Sequence, residues 1–140
     1  MKNNLLTIGI VGGGAAGMMA AAQIIESGVP CSIALFDKNK SLGTKVIISG
    51  GGRCNVTTGV TNQSQLLQKY TRGSKFIKAA FSKFPPEKVY AWFEDHGVPL
   101  KIEEDTRVFP ISDDGKDIVG IYVESNPLRR PTKRLDWIGL

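Results

Sequence analysis

Residues 11–17 read VGGGAAG, and the segments on either side of them decide the fold. Before the cluster, residues 5–11 (LLTIGIV) form a short apolar run rich in branched side chains, which predicts a buried strand ending at glycine. After it, residues 15–27 (AAGMMAAAQIIES) are good helix formers, and Gly28 suits the stop. Residues 31–37 (CSIALFD) read as a second strand. Strand, helix and strand make a βαβ unit, whose parallel strands need the crossover helix between them. The fold class is α/β.

Within the cluster, Gly12, Gly14 and Gly17 satisfy G-x-G-x-x-G. The first glycine permits a tight turn, the second lets backbone approach a pyrophosphate, and the third lets helix and strand pack closely. The helix start then presents free N–H groups and positive dipole to phosphate. Asp37 closes the second strand twenty residues after Gly17. Its carboxylate is placed to accept hydrogen bonds from a ribose 2′-OH and disfavours a 2′-phosphate, so FAD or NAD fits better than NADP. A ligand-free βαβ turn is the competing reading.

A second glycine run, SGGGRCN at residues 49–55, separates the two cofactors. NAD needs the first cluster alone. FAD is longer, and its ribityl chain and ring need another place where backbone comes close, which Gly50, Gly51 and Gly52 allow. Arg53 is suited to neutralise phosphate or accompany the electron-rich reduced ring, and Asn55 to hydrogen-bond the flavin edge.

Further along, residues 38–49 read as a loop with a short helix at 44–48. Residues 56–65 are polar, and a helical pattern over 66–83 is divided by Gly73 and Ser74. Pro85 and Pro86 stop it, a helix over 87–96 ends at Gly97, and short strands at 100–103 and 107–109 flank a turn at 104–106. From about Ile118 no sustained period remains. The expected organisation is residues 1–60 as the N-terminal part of a Rossmann domain, 61–118 as a mostly helical segment with short strands, and 119–140 as an atypical tail without regular order.

The 140 residues suit one compact domain, with ordinary hydrophobic (41%) and charged (22%) contents. Two cysteines and one histidine give no disulfide framework and no zinc spacing, which points to a reducing, cytoplasmic setting without a metal. Lys2 followed by LLTIGIV mimics a secretion signal, but Gly12–Gly14 interrupt the apolar run. No apolar stretch is long enough to span a membrane. The net charge of +5 gathers at Lys69, Arg72, Lys75, Lys78, Lys83 and Lys88, and at Arg129, Arg130, Lys133 and Arg134. With no nucleic-acid motif beside them, these read as a solvated helix face and a basic tail, and nucleic acid is not expected as a partner. Oligomeric state is not legible.

No side chain earns a catalytic role. Cys54 lacks the C-x-x-C or C-x4-C partner of flavin disulfide reductases and reads as a packing residue, and Cys31 as core. His96 reads as a helix-end residue, Glu103, Glu104 and Asp105 as a solvated turn, and Arg107 as a candidate to approach substrate.

Four segments together carry a resemblance: VGGGAAGMMAA, FDKN, GTKVIISGGGRCNVT and RVFPIS. In order and spacing they resemble the HI0933-like (YhiN/BaiN-type) FAD-dependent oxidoreductases over roughly residues 5–118. The resemblance implies a Rossmann-type, glutathione-reductase-like FAD domain interrupted by an inserted domain. It also implies a flavin that passes hydride between NADH or NADPH and an organic acceptor. It carries over Gly12, Gly13, Gly14 and Gly17 with the first helical amides of Ala15 and Ala16 as pyrophosphate contacts. Asp37 and Lys38 match the ribose-holding pair, and Lys45 and residues Gly50, Gly51, Gly52, Arg53, Cys54 and Asn55 match the loop along the cofactor. Thr44 stands where the family has a basic residue, and Thr106 where it has glycine. Family members are about three times as long and return with a third glycine-rich segment, so this chain reads as a truncated N-terminal portion. The leading reading is the FAD-binding portion of a flavoprotein oxidoreductase. The alternatives are a catalytically silent Rossmann fragment with weak or no dinucleotide binding, and a flavin-dependent RNA-modifying protein.

Overall fold

The computed structural model describes residues 6–123 and 134–139. The chain divides into two compact units, residues 1–48 with 119–140, and residues 49–118. The second glycine run therefore falls in the second unit, whereas the sequence groups it with residues 1–60.

In the first unit, β1 (Leu6–Val11) and β2 (Cys31–Asp37) are parallel, in register from Leu6 opposite Cys31 to Val11 opposite Phe36. Between them runs α1 (Ala15–Glu26), which buries Met18, Ala21, Ala22 and Ile25, the i, i+3, i+4, i+7 stripe of a helix with one core face. On β2 the alternating residues Cys31, Ile33 and Leu35 are buried. Helix α2 (Thr44–Ile48) follows. The α/β, Rossmann-like class is thus present in the parallel pair and its crossover helix.

Two expectations are corrected here. Strand β1 is not buried: Leu6 and Val11 are exposed, and in the order β1-β2-β6 it stands at an edge, paired on one side among the described residues. Nor does regular structure stop near residue 118. Helix α6 (Gly115–Val123) runs through that point, burying Ile118, Val119, Ile121 and Tyr122, and β6 (Arg134–Gly139) pairs parallel with β2. The reason is legible afterwards: GKDIVGIYV has apolar residues at 118, 119, 121 and 122, a one-sided stripe that the prolines and basic residues downstream obscure. Residues 124–133 of the expected tail lie outside the described residues.

The second unit opens with a 3-10 turn at Ser49–Gly52 and builds a small antiparallel sheet in the order β3-β5-β4. Its strands are β3 (Thr57–Thr58), β4 (Leu100–Ile102) and β5 (Arg107–Pro110). Helices α3 (Gln63–Gln68), α4 (Ser74–Lys83) and α5 (Pro86–Asp95) lie between β3 and β4 in sequence. Asn62 caps α3 by accepting from the Gln65 N–H, and Pro86 begins α5 where its missing N–H costs nothing. Trp92 and Phe93 of α5, with Leu100, Val108 and Phe109, are buried. The Tyr90 hydroxyl donates to the Leu100 carbonyl at 2.8 Å. The two-residue β3 was missed because VTTGVT is too short and polar to show a period.

Candidate functional site

In the first unit the glycine turn is held from three directions. The Gly12 N–H donates to the Phe36 carbonyl at 2.7 Å, the Gly43 N–H to the Gly13 carbonyl at 2.8 Å, and the Gly13 N–H to Asp37 Oδ2 at 2.6 Å. A Cβ on Gly17 would overlap the Gly12 carbonyl oxygen, and one on Gly13 would strike Leu42 and lie 3.1 Å from Asp37 Oδ2. Gly13 and Gly17 are therefore glycines because protein occupies the space. At Gly14 a Cβ would meet nothing within 4 Å. Gly14 caps α1 with no side-chain hydrogen bond, so the opening amides, at Ala15 and Ala16, keep the unsatisfied donors of a helix start, and both residues are exposed.

Asp37 is the charged element of this turn. Besides Gly13, it accepts from the Asn39 N–H at 2.7 Å and from Asn39 Nδ2 at 2.8 Å, both through Oδ1. The Asn39 and Gly13 amides hold its carboxyl below the usual carboxylate range, so it stays anionic. Lys38 and Lys45 are exposed, on the loop after β2 and on α2. Leu42 and Gly43 were passed over in the sequence. Their signal was a second glycine immediately before a helix start.

In the second unit, Gly50, Gly51 and Gly52 all adopt left-handed backbone, with φ of 57°, 72° and 91°, and Cys54 follows at 60°. A Cβ on Gly50 would crowd Asn55 N at 2.9 Å and Phe109 at 3.0 Å, whereas Gly51 and Gly52 face open space. The loop closes through the Cys54 N–H to the Ser49 carbonyl at 3.0 Å. Burial pushes the Cys54 thiol up, the opposite of what a nucleophilic thiolate needs. Asn55 Oδ1 accepts from the Val108 N–H at 3.2 Å, tying the loop to β5.

Arg53 does something the sequence did not show. Its Nη1 lies 2.6 Å from Glu103 Oε1 and 3.4 Å from Asp113 Oδ1, and its guanidinium sits 3.8 Å over the buried Phe109 ring. Arg107 approaches the same ring at 5.1 Å and pairs with Asp105 at 2.6 Å and Glu103 at 3.5 Å. The turn after β4 is therefore an anchored ion-pair cluster rather than a merely solvated one. His96 ends α5, its Nδ1 2.6 Å from the Trp92 carbonyl and its ring stacked on Trp92 at 4.1 Å.

An open cavity of about 530 Å³ lies in the second unit, its lining including Asn55, Thr58, Lys69, Tyr70, Phe81 and Arg107. Of the expected site residues it gathers Asn55 and, on the substrate side, Arg107. Lys69, Tyr70 and Phe81 were read only as helix positions. Among the described residues no group of three His, Cys, Asp or Glu could hold a metal ion, and no helix is long and apolar enough to cross a membrane.

The chain is 30% identical over 100 residues to a ribosomal RNA dihydrouridine synthase of Haemophilus influenzae, covering 71% of this chain and 24% of that protein. It is 29% identical over 126 residues to a protein of the same name in Escherichia coli, covering 90% and 30%. A 3-dehydro-bile acid delta(4,6)-reductase of Clostridium scindens is 35% identical over 57 residues, covering 41% and 14%. The chain thus spans less than a third of the length of each of these relatives. The family profile described as the HI0933-like protein Rossmann domain matches residues 6–130, most of the chain, and this protein belongs to that family.

Proposed function

We propose that this chain supplies the FAD-holding part of a flavoprotein oxidoreductase that passes hydride from a reduced nicotinamide, NADH or NADPH, to an organic acceptor in the cytoplasm. The observation that carries the reading is the open space at Gly14 before the uncapped start of α1, beside an anchored Asp37 carboxylate. A pyrophosphate fits there because the helix supplies N–H donors and positive dipole and no Cβ intrudes. Asp37 already accepts three protein hydrogen bonds, two at Oδ1 and one at Oδ2, so of its four lone-pair sites the second one on Oδ2 is left for a ribose hydroxyl. Lys38 and Lys45 offer exposed positive charge to the phosphates. When bound, the flavin supplies the hydride chemistry, and the chain's residues bind and orient it. The role assigned to residues 49–55 rests on the open, left-handed Gly51 and Gly52, whose main chain a ligand could approach.

The names of the relatives support one kind of acceptor. A dihydrouridine synthase and a delta(4,6)-reductase both point to a carbon–carbon double bond conjugated to a carbonyl, across which a hydride and a proton add. The RNA-acting relatives match 71% and 90% of this chain and the bile-acid relative 41%, which favours a uracil ring in RNA as the acceptor here.

The test is the full chain stripped of free flavin, followed by visible absorption and thermal shift with FAD and with NADH. The expected result is an FAD-specific shift abolished by Gly14→Val and kept by Cys54→Ala. A colourless protein indifferent to FAD would refute the reading. Gly51→Val probes the second loop separately and is expected to weaken the same shift.

A further inference from the structure

We propose that the α3–α4 face of the second unit, with the cavity beside it, is a docking surface for single-stranded RNA. The choice of RNA among polyanions rests on the acceptor proposed above, while the surface itself does not depend on FAD.

The first observation is charge without compensation. From residue 61 to residue 86 there are five cations, Lys69, Arg72, Lys75, Lys78 and Lys83, and no Asp or Glu. All five are exposed. Among the described residues the ion pairs run through Arg53, Lys101 and Arg107, and none of these five takes part. An ordinary solvated helix face mixes both signs, because opposite charges three or four positions apart support a helix and like charges weaken it. Here Lys75 and Lys78 stand three apart on α4 with no carboxylate on the helix. Their Cβ atoms are then about 5–6 Å apart, close to the spacing of neighbouring phosphates on an extended strand.

The second observation is aromatic. Helix α4 keeps Ser74, Ile77 and Phe81 half-buried and has no fully buried residue, so its packing needs are met by that stripe. Phe76 lies off the stripe, is 88% exposed and has a lysine at the preceding position. Tyr70, 43% exposed, meets Phe81 at 5.9 Å on the wall of the cavity, where Lys69 supplies charge, Arg107 is paired with Asp105, and Asn55 and Thr58 supply hydrogen-bonding groups. Cations for phosphates with exposed rings for bases are what a single strand requires and a duplex, whose bases are stacked inside, does not. The sequence reading of these lysines as a plain solvated face accounts for the charge but not for the exposed rings or the missing carboxylates.

The experiment is fluorescence anisotropy of the full chain with a labelled single-stranded RNA of about twelve nucleotides, within the usual site size, across a salt series. Lys75→Glu with Lys78→Glu is expected to flatten the slope of log affinity against log salt by about 1.4, at about 0.7 per phosphate contact. Phe76→Ala is expected to weaken binding about tenfold through a lost stacking contact, with an unchanged circular dichroism spectrum. Lys116→Glu, an exposed charge on α6, should change neither. Unaltered binding in both α4 variants, an equal loss in Lys116→Glu, or equally tight binding to phosphatidylserine vesicles would overturn the proposal. The two proposals fail separately. RNA binding retained in Gly14→Val supports the surface whatever happens to FAD, and an FAD shift without RNA binding refutes the surface alone.

Discussion

Gly14 and Gly17 belong to the same fingerprint, yet the structure predicts that alanine at the two positions does opposite things. A Cβ on Gly17 overlaps the Gly12 carbonyl oxygen and lies 3.3 Å from Ile10 Cγ2. The obstacle is backbone, itself fixed by the Gly12 N–H to Phe36 hydrogen bond, so it cannot swing aside as a side-chain tip would. Overpacking of this kind costs about 1–3 kcal/mol, and the backbone clash places Gly17→Ala near the top of that range. The gain in helix propensity on replacing an interior glycine returns at most about 1 kcal/mol, leaving a net loss of roughly 2 kcal/mol. At Gly14 the added methyl meets nothing, and φ of −82° suits any residue. The poorer N-cap is offset by the lower entropy of the unfolded chain, so Gly14→Ala should stay within about 0.5 kcal/mol of the parent. Urea unfolding followed by circular dichroism reads both, and thermal unfolding should show a drop of roughly 8 °C for Gly17→Ala, at about 4 °C per kcal/mol. Binding behaves the other way: Gly14→Val removes the FAD-dependent shift from a protein of near-parental stability. A Gly14→Ala variant as unstable as Gly17→Ala, or a neutral Gly17→Ala, would refute the division of the motif into packing and ligand glycines.

Three further outcomes follow from the buried and charged groups. Asp37, Asp105 and Asp113 all have carboxyls held below the ordinary value of about 3.9, chiefly by the Asn39 amide, the Arg107 amide and the Lys101 ammonium respectively. A depressed folded-state pKa means that stability is present above pH 4 and lost as pH falls through the folded values, so urea midpoints should decline below pH 4, less steeply in Asp37→Asn. Cys54 is buried with its thiol pushed up, and Cys31 is fully buried, so neither should react with iodoacetamide at pH 7 until the chain unfolds; rapid labelling of native Cys54, read by mass spectrometry, would contradict this. Phe109 is fully buried beneath two guanidiniums, and Phe109→Ala should destabilise the second unit by about 3–5 kcal/mol, measured by the fluorescence of Trp92 on urea unfolding in a Trp137→Phe background.

Local signals made the first unit legible. The βαβ unit needs only a short apolar run, a glycine turn and a good helix, all within about thirty residues, and β2 and α2 fall where the sequence puts them. Gly73 and Pro86 likewise mark the joints of the helical segment. What stayed hidden depends on partners distant in sequence. The exposure of β1, an edge strand among the described residues, depends on what other segments lay over its faces, which no property of LTIGIV encodes. The Arg53–Glu103 pair joins residues fifty positions apart, and nothing local distinguishes a guanidinium awaiting phosphate from one already paired.

That last point changes the meaning of the second glycine run. Arg53 meets carboxylates at 2.6 and 3.4 Å through Nη1 and lies over a ring at 3.8 Å, so a ligand that claimed Nη1 would have to compete with these contacts. The pairing with Glu103, which raises the Arg53 pKa further, makes it first a strut that fixes the loop to the β4–β5 hairpin. Asn55 acts in the same sense through Val108. Side chains on both flanks therefore hold the loop, and the main chain of Gly51 and Gly52, where a Cβ would meet nothing within 4 Å, stays open beside them. The two glycine runs thus arrive at similar sequences by different routes. In the first, the neighbouring glycines 13 and 17 exclude side chains so that protein can pack, leaving Gly14 open. In the second, left-handed backbone sets the composition, and the charged residue that looked like the ligand contact is the one that holds the loop in place.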